Sequence, residues 1–560
     1  MAPLLAVLVL VVGLTLTGCS RPERGSVTAP LPAPPPGAPA RPRPRLVVLI
    51  VVDQLPSWTF DRDRPLFTKG FARLLRDGAY VRAAELPYAH PFTAPGHASI
   101  ATGAPPRVHG VIANTWYRRA EGREVRAELD RAAPVFEVSA ARTGTLTVED
   151  GTSGRALRVD GIADALRTAH GRARSVAIAL KPRAATFIAG RRPDLAIWYE
   201  AAAGGMTTSR AYAEAVPTWL VELARTQPAS RFFGAVWTAR DPAALATLTG
   251  IADDAPGEGS VHGLDATFPH DLAATDNPSR AFLHTPYADQ IVLDAALAAV
   301  DAMQLGADAV PDLLAISFNA RDYAGHLWGP DSWEVLELTR SLDERLGELF
   351  DVLDRKLGSA GWAAVVTSDH GATRVVEGGS TVGARRVGTT EILEAAEVAV
   401  AGLLGRGPWV ASVIGGNVYF SGAFAQQPAA RRDAALTAAV TSIGKLRGIG
   451  AVGRVDQVTG RCDARTGFER LICASVIAEE SGELYVLPAR GSLISDYKRG
   501  SHHDAPSDDN RQVPILVLAP GLVAQTGTGT LLQIAPTVAA LLGVPPPAAA
   551  SEPPLFRLPR

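Results

Sequence analysis

Cysteine is scarce in this chain of 560 residues, which contains three, and an excess of either charge is missing as well. The 55 Lys and Arg residues against 57 Asp and Glu give a net charge of -2, so the charge gives no reason to expect nucleic acid or an acidic membrane surface as partner. Apolar residues make up 47% of the chain and charged residues 20%, as is typical of a globular protein with a sizeable core. Function therefore has to be inferred from local motifs.

Long apolar runs are few, and the one near the N-terminus is distinctive. Leu4–Leu16 is almost wholly apolar but too short to span a membrane comfortably, which indicates the centre of a signal peptide. It ends in Leu16-Thr17-Gly18-Cys19, which resembles the bacterial lipobox, a motif whose cysteine is lipidated. We predict a lipoprotein signal peptide over residues 1–18, export, and a lipid anchor at Cys19 in the cell envelope. Plain secretion into the periplasm is the alternative.

Large apolar residues are nearly absent from residues 19–45, which are rich in Pro, Ala and Arg and predict an extended linker. At about 3.1 Å per residue, such a linker spans roughly 80 Å. The two remaining cysteines, Cys462 and Cys473, have no histidine near them in sequence. In an exported protein we expect them to form a disulfide rather than a metal–thiolate site.

Three continuous apolar runs predict strands of a buried parallel sheet: Leu46–Val52, Leu313–Phe318 and Ala363–Thr367. The amphipathic segment Val335–Leu353 predicts a helix between the second and third strands. Polar residues follow each strand, and ligands bind at the carboxyl ends of strands in open α/β sheets. We predict an α/β catalytic domain over residues 46–547 with a short tail over 548–560. Insertions over about 117–310 and 388–491 are expected to form caps.

Thr93 lies in the run Pro91-Phe92-Thr93-Ala94-Pro95-Gly96-His97, where Pro and Gly interrupt the chain and a helix is expected to begin at His97. A helix N-terminus favours a bound phosphate. A threonine hydroxyl becomes a good nucleophile only when a base or a metal lowers its pKa. Six Asp and His residues near the predicted strand ends form a ligand set that suits two zinc ions. These residues are Asp53, Asp322, His326, Asp369, His370 and His503.

Taken together, these motifs resemble the alkaline phosphatase superfamily, and most closely its branch of bacterial PafA-type phosphatases, which is related to nucleotide pyrophosphatase/phosphodiesterases. The resemblance covers Leu46 to about Pro547 and implies a three-layer α/β/α fold with a mostly parallel central sheet. The matching stretches include Val51-Val52-Asp53-Gln54, Thr93-Ala94-Pro95-Gly96-His97, Asp322-Tyr323-Ala324-Gly325-His326 and Ser368-Asp369-His370-Gly371.

The resemblance also implies a role for each site residue. One Zn²⁺ is expected on Asp322, His326 and His503, and a second on Asp53, Asp369, His370 and the Thr93 hydroxyl. Thr93 is expected to attack phosphorus and form a phosphothreonine that water then hydrolyses.

The choice between monoester and diester depends on the groups that meet the remaining phosphoryl oxygens. In the family pattern Asn114 gives a neutral hydrogen bond. Lys181 and Arg183, expected two apart on an extended stretch and pointing the same way, supply positive charge. We therefore expect an alkaline phosphatase that hydrolyses small phosphate monoesters. The alternatives are a phosphodiesterase or nucleotide pyrophosphatase with the same metals, or an inactive binding lipoprotein. A sulfatase is disfavoured, because sulfatases have a Cys or Ser followed by x-Pro-x-Arg, whereas Thr93 is followed here by Ala-Pro-Gly-His.

Several neighbouring residues remain open or are expected to be structural. Spacing favours His503 over His502 as the last ligand, and Asp504 is expected to orient its imidazole. His90 and His97 are expected to be structural. Gly448–Gly453 fits G-x-G-x-x-G, but the predicted order is a helix over Ala430–Leu446 and then a strand at Arg454–Asp456. This order is the reverse of a dinucleotide-binding motif.

Overall fold

The computed structural model describes residues 43–139, 142–147, 151–200, 202 and 205–557. The predicted signal peptide, Cys19 and nearly all of the predicted linker lie outside these residues, as do the last three residues of the predicted tail. Within the described ranges, no helix has both the length and the apolar character needed to cross a bilayer.

Twenty-one strands form within the described residues. They are β1 (Leu46–Val52), β2 (Ala79–Glu85), β3 (Thr115–Arg118), β4 (Arg123–Arg126), β5 (Val135–Ser139), β6 (Arg142–Thr147), β7 (Ser175–Ala179), β8 (Leu195–Glu200), β9 (Gly205–Thr207), β10 (Val236–Trp237), β11 (His270–Asp271), β12 (Asp312–Phe318), β13 (Trp362–Thr367), β14 (Arg386–Val387), β15 (Val410–Ile414), β16 (Asn417–Phe420), β17 (Ile449–Arg454), β18 (Leu484–Pro488), β19 (Leu493–Ile494), β20 (Gln512–Leu518) and β21 (Gln525–Gly527).

Nine of these strands form the central sheet, in the order β21-β2-β20-β13-β1-β12-β7-β8-β9. The five strands from β13 to β8 are parallel, while β20 pairs antiparallel with both β2 and β13, and β9 pairs antiparallel with β8. The three strands predicted from apolar runs lie side by side, because β1 pairs with β12 on one side and β13 on the other. The prediction of a mostly parallel sheet is confirmed.

Helices cover both faces of this sheet, which explains the continuous apolar runs. Alternate residues of β1 belong to different cores: Val48 and Ile50 pack in one, Val47 and Leu49 in the other. The first core includes helices Pro286–Ala302 and Trp333–Leu357, and the second includes Ile162–Ala169 and Ile534–Leu542. The three-layer α/β/α prediction is confirmed. The remaining helices of eight or more residues are Gly70–Asp77, Thr93–Thr102, Thr218–Thr226, Pro242–Thr249, Ala320–Trp328, Thr389–Leu404, Ala429–Gly444 and Gly467–Ser475.

The two predicted insertions differ in how they relate to the central sheet. The stretch over about 117–310 supplies β7, β8 and β9, so a large part of it belongs to the sheet rather than to a cap. The stretch over about 388–491 contains the four-stranded sheet β15-β16-β18-β17 and two long helices, which share a separate apolar core. The expected disulfide joins Cys462 to Cys473.

The glycine-rich stretch Gly448–Gly453 coincides with β17, so the strand falls earlier than predicted. The prediction of a strand at Arg454–Asp456 is wrong, because a helical turn over Val455–Val458 follows β17. The preceding helix, Ala429–Gly444, lies close to its predicted place. A strand that follows a helix and leads into a single helical turn provides no helix N-terminus of the dinucleotide-binding kind.

Candidate active site

The candidate site lies at the carboxyl edge of the three central strands. Asp53 follows β1 directly, Asp322 lies in the first turn of the Ala320–Trp328 helix after β12, and Asp369 lies two residues beyond β13. Val51 pairs with Ser317 and with Thr367 across the three strands, so the strands end at the same level. In-register parallel strands thus bring three carboxylates together from distant parts of the chain.

Asp53, Asp369 and His370 form a fully buried group. His370 Nε2 lies 3.2 Å from Asp53 Oδ1 and 3.5 Å from Asp369 Oδ2. None of these three buried atoms makes a hydrogen bond of good geometry among the described residues, although His97 Nδ1 also lies 3.2 Å from Asp369 Oδ2. Buried polar atoms without partners are costly, and two carboxylate oxygens facing an imidazole nitrogen are a suitable donor set for a divalent cation. The residues therefore fit a metal ion.

Asp322, His370 and His503 form a second group, in which one ligand atom of each residue lies within 4.8 Å of the others. His503 Nε2 is 3.7 Å and His326 Nε2 3.4 Å from Asp322 Oδ1. His370 belongs to both groups, and its ring stacks on that of His503 with 3.6 Å between centroids. The structure thus places all six predicted Asp and His ligands together. Their roles as ligands stay predictions.

Backbone carbonyl oxygens orient the two histidines of these groups, His370 and His503, and also His326, which adjoins Asp322. His326 Nδ1 donates to Ser501 O (3.0 Å), His370 Nδ1 to Gly371 O (2.9 Å) and His503 Nδ1 to Pro91 O (2.7 Å). Because a carbonyl oxygen can only accept, each Nδ1 carries a proton and each Nε2 is left to face the carboxylates. Hydrogen bonds of this kind hold metal-binding imidazoles in place.

The structure corrects one expectation at the last ligand and distinguishes two adjacent histidines. Asp504 does not orient His503, because its Oδ2 accepts the Ile494 N–H (2.8 Å) and Pro91 O takes the expected role. His502 lies outside both groups, and its Nδ1 accepts the His503 N–H (2.9 Å).

Thr93 is buried and is the first residue of the Thr93–Thr102 helix. The expectation that this helix begins at His97 is wrong by four residues, because Pro95 falls in the first turn, where its missing N–H costs nothing. His97 Nδ1 bonds Thr93 O (2.8 Å) and its Nε2 bonds Ser317 Oγ (2.8 Å), so this histidine ties the helix to β12. His90 is buried and contacts Gly415 O (3.1 Å). His97 Nδ1 also lies 3.2 Å from Asp369 Oδ2. The structural roles expected for both histidines stay predictions.

The predicted phosphate-binding residues come from parts of the chain outside the Thr93–Thr102 helix. Asn114 Oδ1 accepts the Ala94 N–H (2.8 Å), which holds the amide beside Thr93. Lys181 and Arg183 do not lie on an extended stretch: Lys181 precedes a helix over Pro182–Phe187, and Arg183 is its second residue. Proline is well suited to the first position of a helix, which accounts for the difference. Lys181 is buried between Asp53 and Asp322, and Arg183 is half-buried.

Neighbouring charges shift the pKa values of this site. Burial raises the pKa of Asp53, but Lys181 and His370 outweigh it and hold that pKa well below its usual range. Burial lowers the pKa of His370, but the charges of Asp369 and Asp53 outweigh the effect of burial and raise this pKa to about 9. Burial and the Asp53 charge raise the pKa of Asp369. Opposite charges thus favour the ionised forms of Asp53 and His370, whereas burial and the like charge of Asp53 disfavour the ionised form of Asp369.

Comparison with known proteins identifies the family. The model of the type I phosphodiesterase / nucleotide pyrophosphatase family matches residues 47–405. The chain belongs to this family.

Relatives within and around this family include alkaline phosphatases. The chain is 30% identical to alkaline phosphatase PhoV of Synechococcus elongatus over 59% of its own length and 60% of that protein. It is 27% identical to alkaline phosphatase PafA of Elizabethkingia meningoseptica over 91% of its own length and 94% of that protein. The fold also matches the crystal structure of wild-type alkaline phosphatase PafA, with a TM-score of 0.84 and 25% identity. The match covers 92% of this chain and 99% of the PafA chain. The predicted superfamily is confirmed, and the chain is a hydrolase of phosphoric esters.

Two residues that hold this phosphodiesterase-family site together received no role from the sequence. Gln54 has a left-handed backbone (φ 63°), and its Nε2 donates to Asp322 Oδ1 (2.7 Å) while its N–H contacts Asp369 Oδ1 (3.3 Å). Asn319 Nδ2 donates to Asp53 Oδ2 (2.8 Å), and its Oδ1 accepts the Leu180 N–H (2.9 Å). The sequence offered one signal for each residue, since Gln54 directly follows Asp53 and Asn319 directly follows β12, at the edge of the sheet where ligands bind.

Proposed function

We propose that this chain is an alkaline phosphatase that transfers the phosphoryl group of small phosphate monoesters to Thr93 and then to water. The observation that supports it most is the group Asp53, Asp369 and His370, whose facing atoms are buried without a hydrogen bond of good geometry beside the helix that begins at Thr93. That arrangement has the donor atoms for a cation and a hydroxyl at a helix N-terminus.

Two zinc ions fit the donor atoms of this site. We infer that Asp53, Asp369, His370 and the Thr93 hydroxyl hold one ion, and that Asp322, His326 and His503 hold the other. Nitrogen and carboxylate oxygen donors in this mixture suit Zn²⁺. When bound, such a pair supplies Lewis acidity to both the attacking and the leaving oxygen of an in-line displacement.

The protein's own residues position the reactants. Thr93 Oγ attacks phosphorus to form a phosphothreonine as the bond to the leaving alcohol breaks, and water then breaks the bond to Thr93 and releases phosphate. In the first helical turn the Thr93 N–H is left to favour a phosphoryl oxygen, because Ala94 N–H donates to Asn114, Pro95 has none and Gly96 N–H donates to Phe92 O. Asn114 is held beside Thr93 by its bond from Ala94 N–H, which keeps its amide available as a donor. Phosphoryl transfer depends mainly on such positioning and charge stabilisation.

Positive charge favours a monoester over a diester. A monoester carries more negative charge on its non-reacting oxygens, so Lys181 and Arg183 stabilise it more. Arg183 is half-buried, and its Nε is buried without a hydrogen-bond partner among the described residues. A phosphodiesterase or nucleotide pyrophosphatase activity is the second candidate, because the matching family model carries that description. An inactive binding lipoprotein would not need the complete donor set.

Initial rates with p-nitrophenyl phosphate and bis(p-nitrophenyl) phosphate test this proposal on the zinc-loaded chain, with a chelator-treated sample as control. We expect kcat/KM for the monoester to exceed that for the diester by about a hundredfold or more, the order of effect that one oriented donor has on such a reaction. A preference for the diester would exclude the monoesterase assignment.

We also infer export and a lipid anchor at Cys19. The disulfide between Cys462 and Cys473 supports an oxidising compartment. Incorporation of labelled palmitate tests the anchor: the wild-type chain is expected to carry the label and Cys19→Ser is not. An unlabelled wild-type chain that is still exported would indicate plain secretion instead.

A further inference from the structure

The carboxylates of Asp53 and Asp322 each present their two oxygens to different neighbours. Asp53 Oδ1 faces His370 Nε2 (3.2 Å), while Asp53 Oδ2 accepts from Lys181 Nζ (2.7 Å). Asp322 Oδ1 faces the Nε2 atoms of His326 (3.4 Å) and His503 (3.7 Å), while Asp322 Oδ2 accepts from the same Lys181 ammonium. Neutral amides also donate to these carboxylates, Asn319 to Asp53 Oδ2 and Gln54 to Asp322 Oδ1, but Lys181 is the cation that bonds both. Lys181 thus bonds one oxygen of each carboxylate, Asp53 Oδ2 and Asp322 Oδ2, and these are the oxygens that do not face the histidines.

Lys181 is held firmly in this position. Its side chain is only 3% exposed, and its backbone N–H contacts Asn319 Oδ1 (3.3 Å). The ring of Tyr323 lies 5.1 Å from the ammonium, within the range of a cation–π contact. An ammonium has three N–H donors, so two bind the carboxylates and one is left for a ligand.

The charge balance of the site changes when metal binds. Three carboxylates, Asp53, Asp322 and Asp369, are buried here. Without metal, Lys181 is a permanent cation among them, and removal of one partner from a buried ion pair is strongly destabilising. With metal bound, the same carboxylates are already compensated. The lysine is therefore needed most in the metal-free protein, and its positive charge opposes that of an incoming cation.

We propose that Lys181, besides any contact with phosphate, is a positioning residue that acts as a built-in counter-cation: it holds Asp53 and Asp322 in place before metal binds and lowers the affinity for zinc. The inference rests on the proposed zinc site. It predicts that Lys181 and zinc oppose each other thermodynamically even though Lys181 bonds carboxylate oxygens that the histidines do not face.

Lys181→Met tests this inference, because methionine keeps most of the side-chain volume without the charge. Arg183→Met, two residues away, is the matched control. Thermal unfolding of each protein is followed with and without zinc, and the zinc Kd is measured by competition with a chelator. We expect Lys181→Met to lower the melting temperature of the metal-free protein more than that of the zinc-loaded protein. The zinc Kd of Lys181→Met is expected to fall, which means tighter binding. Arg183→Met is expected to change neither the melting temperature nor the zinc Kd appreciably.

Each outcome decides between the possibilities. A variant that folds with zinc but unfolds when zinc is removed supports the inference. A variant that fails to fold even with zinc, loses stability equally in both states, or binds zinc more weakly overturns it. If the wild-type chain binds no zinc, the proposed metal site fails. The counter-cation role then stands only if Lys181→Met still destabilises the metal-free protein and Arg183→Met does not.

Discussion

Gly96 lies against the backbone of Asp369 at a distance that leaves no room for a side chain. A Cβ at Gly96 would come within 2.6 Å of Asp369 O and 2.8 Å of Asp369 Cβ. Gly96 belongs to the first turn of the helix that begins at Thr93, and Asp369 belongs to the buried group with Asp53 and His370. The absence of a side chain at Gly96 therefore lets the helix that begins at Thr93 pack on the loop that carries Asp369 and His370.

We predict that Gly96→Ala separates Thr93 from this group. Activity depends steeply on the placement of reacting groups, so phosphatase kcat should fall by about a hundredfold, and overpacking should lower the free energy of unfolding by about 1–3 kcal/mol. Gly402→Ala is the control, since Gly402 is in the Thr389–Leu404 helix with no atom within 4 Å of its Cβ position. It should raise stability by about 0.5–1 kcal/mol and leave kcat unchanged. Unchanged kcat in Gly96→Ala would contradict the account.

The assignment of His503 rather than His502 as a ligand is directly testable. His503 Nε2 lies 3.7 Å from Asp322 Oδ1, whereas His502 uses its Nδ1 to accept the His503 N–H. His503→Ala should lose one zinc per chain by elemental analysis and nearly all activity. His502→Ala should keep both ions. Loss of zinc from the His502 variant alone would reverse the assignment.

Arg183 should discriminate between substrate classes. Its guanidinium is expected to meet phosphoryl oxygens that carry more charge in a monoester than in a diester. Arg183→Met should therefore lower kcat/KM for the monoester by roughly 10²–10³, the usual effect of removing one oriented donor, and lower that for the diester much less. Equal losses on both substrates would assign Arg183 to general substrate binding.

The raised pKa of His370 predicts proton release when zinc binds. Asp369 and Asp53 outweigh the effect of burial and raise the pKa of His370 to about 9 in the metal-free protein. The imidazole is therefore protonated at pH 7 and must lose its proton to become a ligand, so zinc affinity should rise with pH until about pH 9. Because the pKa of His370 is higher in the folded than in the unfolded protein, protonation of His370 stabilises the metal-free fold. This stabilisation is fully present below about pH 6.5 and is lost as the pH rises through about 9.

Calorimetric titrations at pH 7 in two buffers of different ionisation heat would measure this proton. We expect a buffer-dependent heat at pH 7 and a much smaller one at pH 10. Heat that is independent of the buffer at both values would show that His370 is already neutral.

The strands and their polar ends could be predicted because their signals are local. Leu46–Val52 is apolar at every position since both faces of β1 are covered, and Asp53 follows directly. Helix starts at prolines were harder: Pro95 and Pro182 look like interruptions, yet each lies in the first turn of a helix.

Contacts between distant residues could not be inferred from the sequence. Pro91 O orients His503 across 412 residues, which no local pattern reveals, so Asp504 received that role wrongly. The bridge from Gln54 to Asp322 likewise depends on a left-handed backbone at a residue type that seldom adopts it.

The central claim is that Thr93 carries the phosphoryl group during turnover. Acid quench of the zinc-loaded enzyme in the presence of a phosphate monoester, followed by proteolysis and mass spectrometry of the peptide that contains Thr93, tests it most directly. We predict a phosphorylated Thr93 in the wild-type enzyme, and neither phosphopeptide nor activity in Thr93→Ala. An unmodified Thr93 throughout turnover, together with full monoesterase activity in Thr93→Ala, would contradict the account.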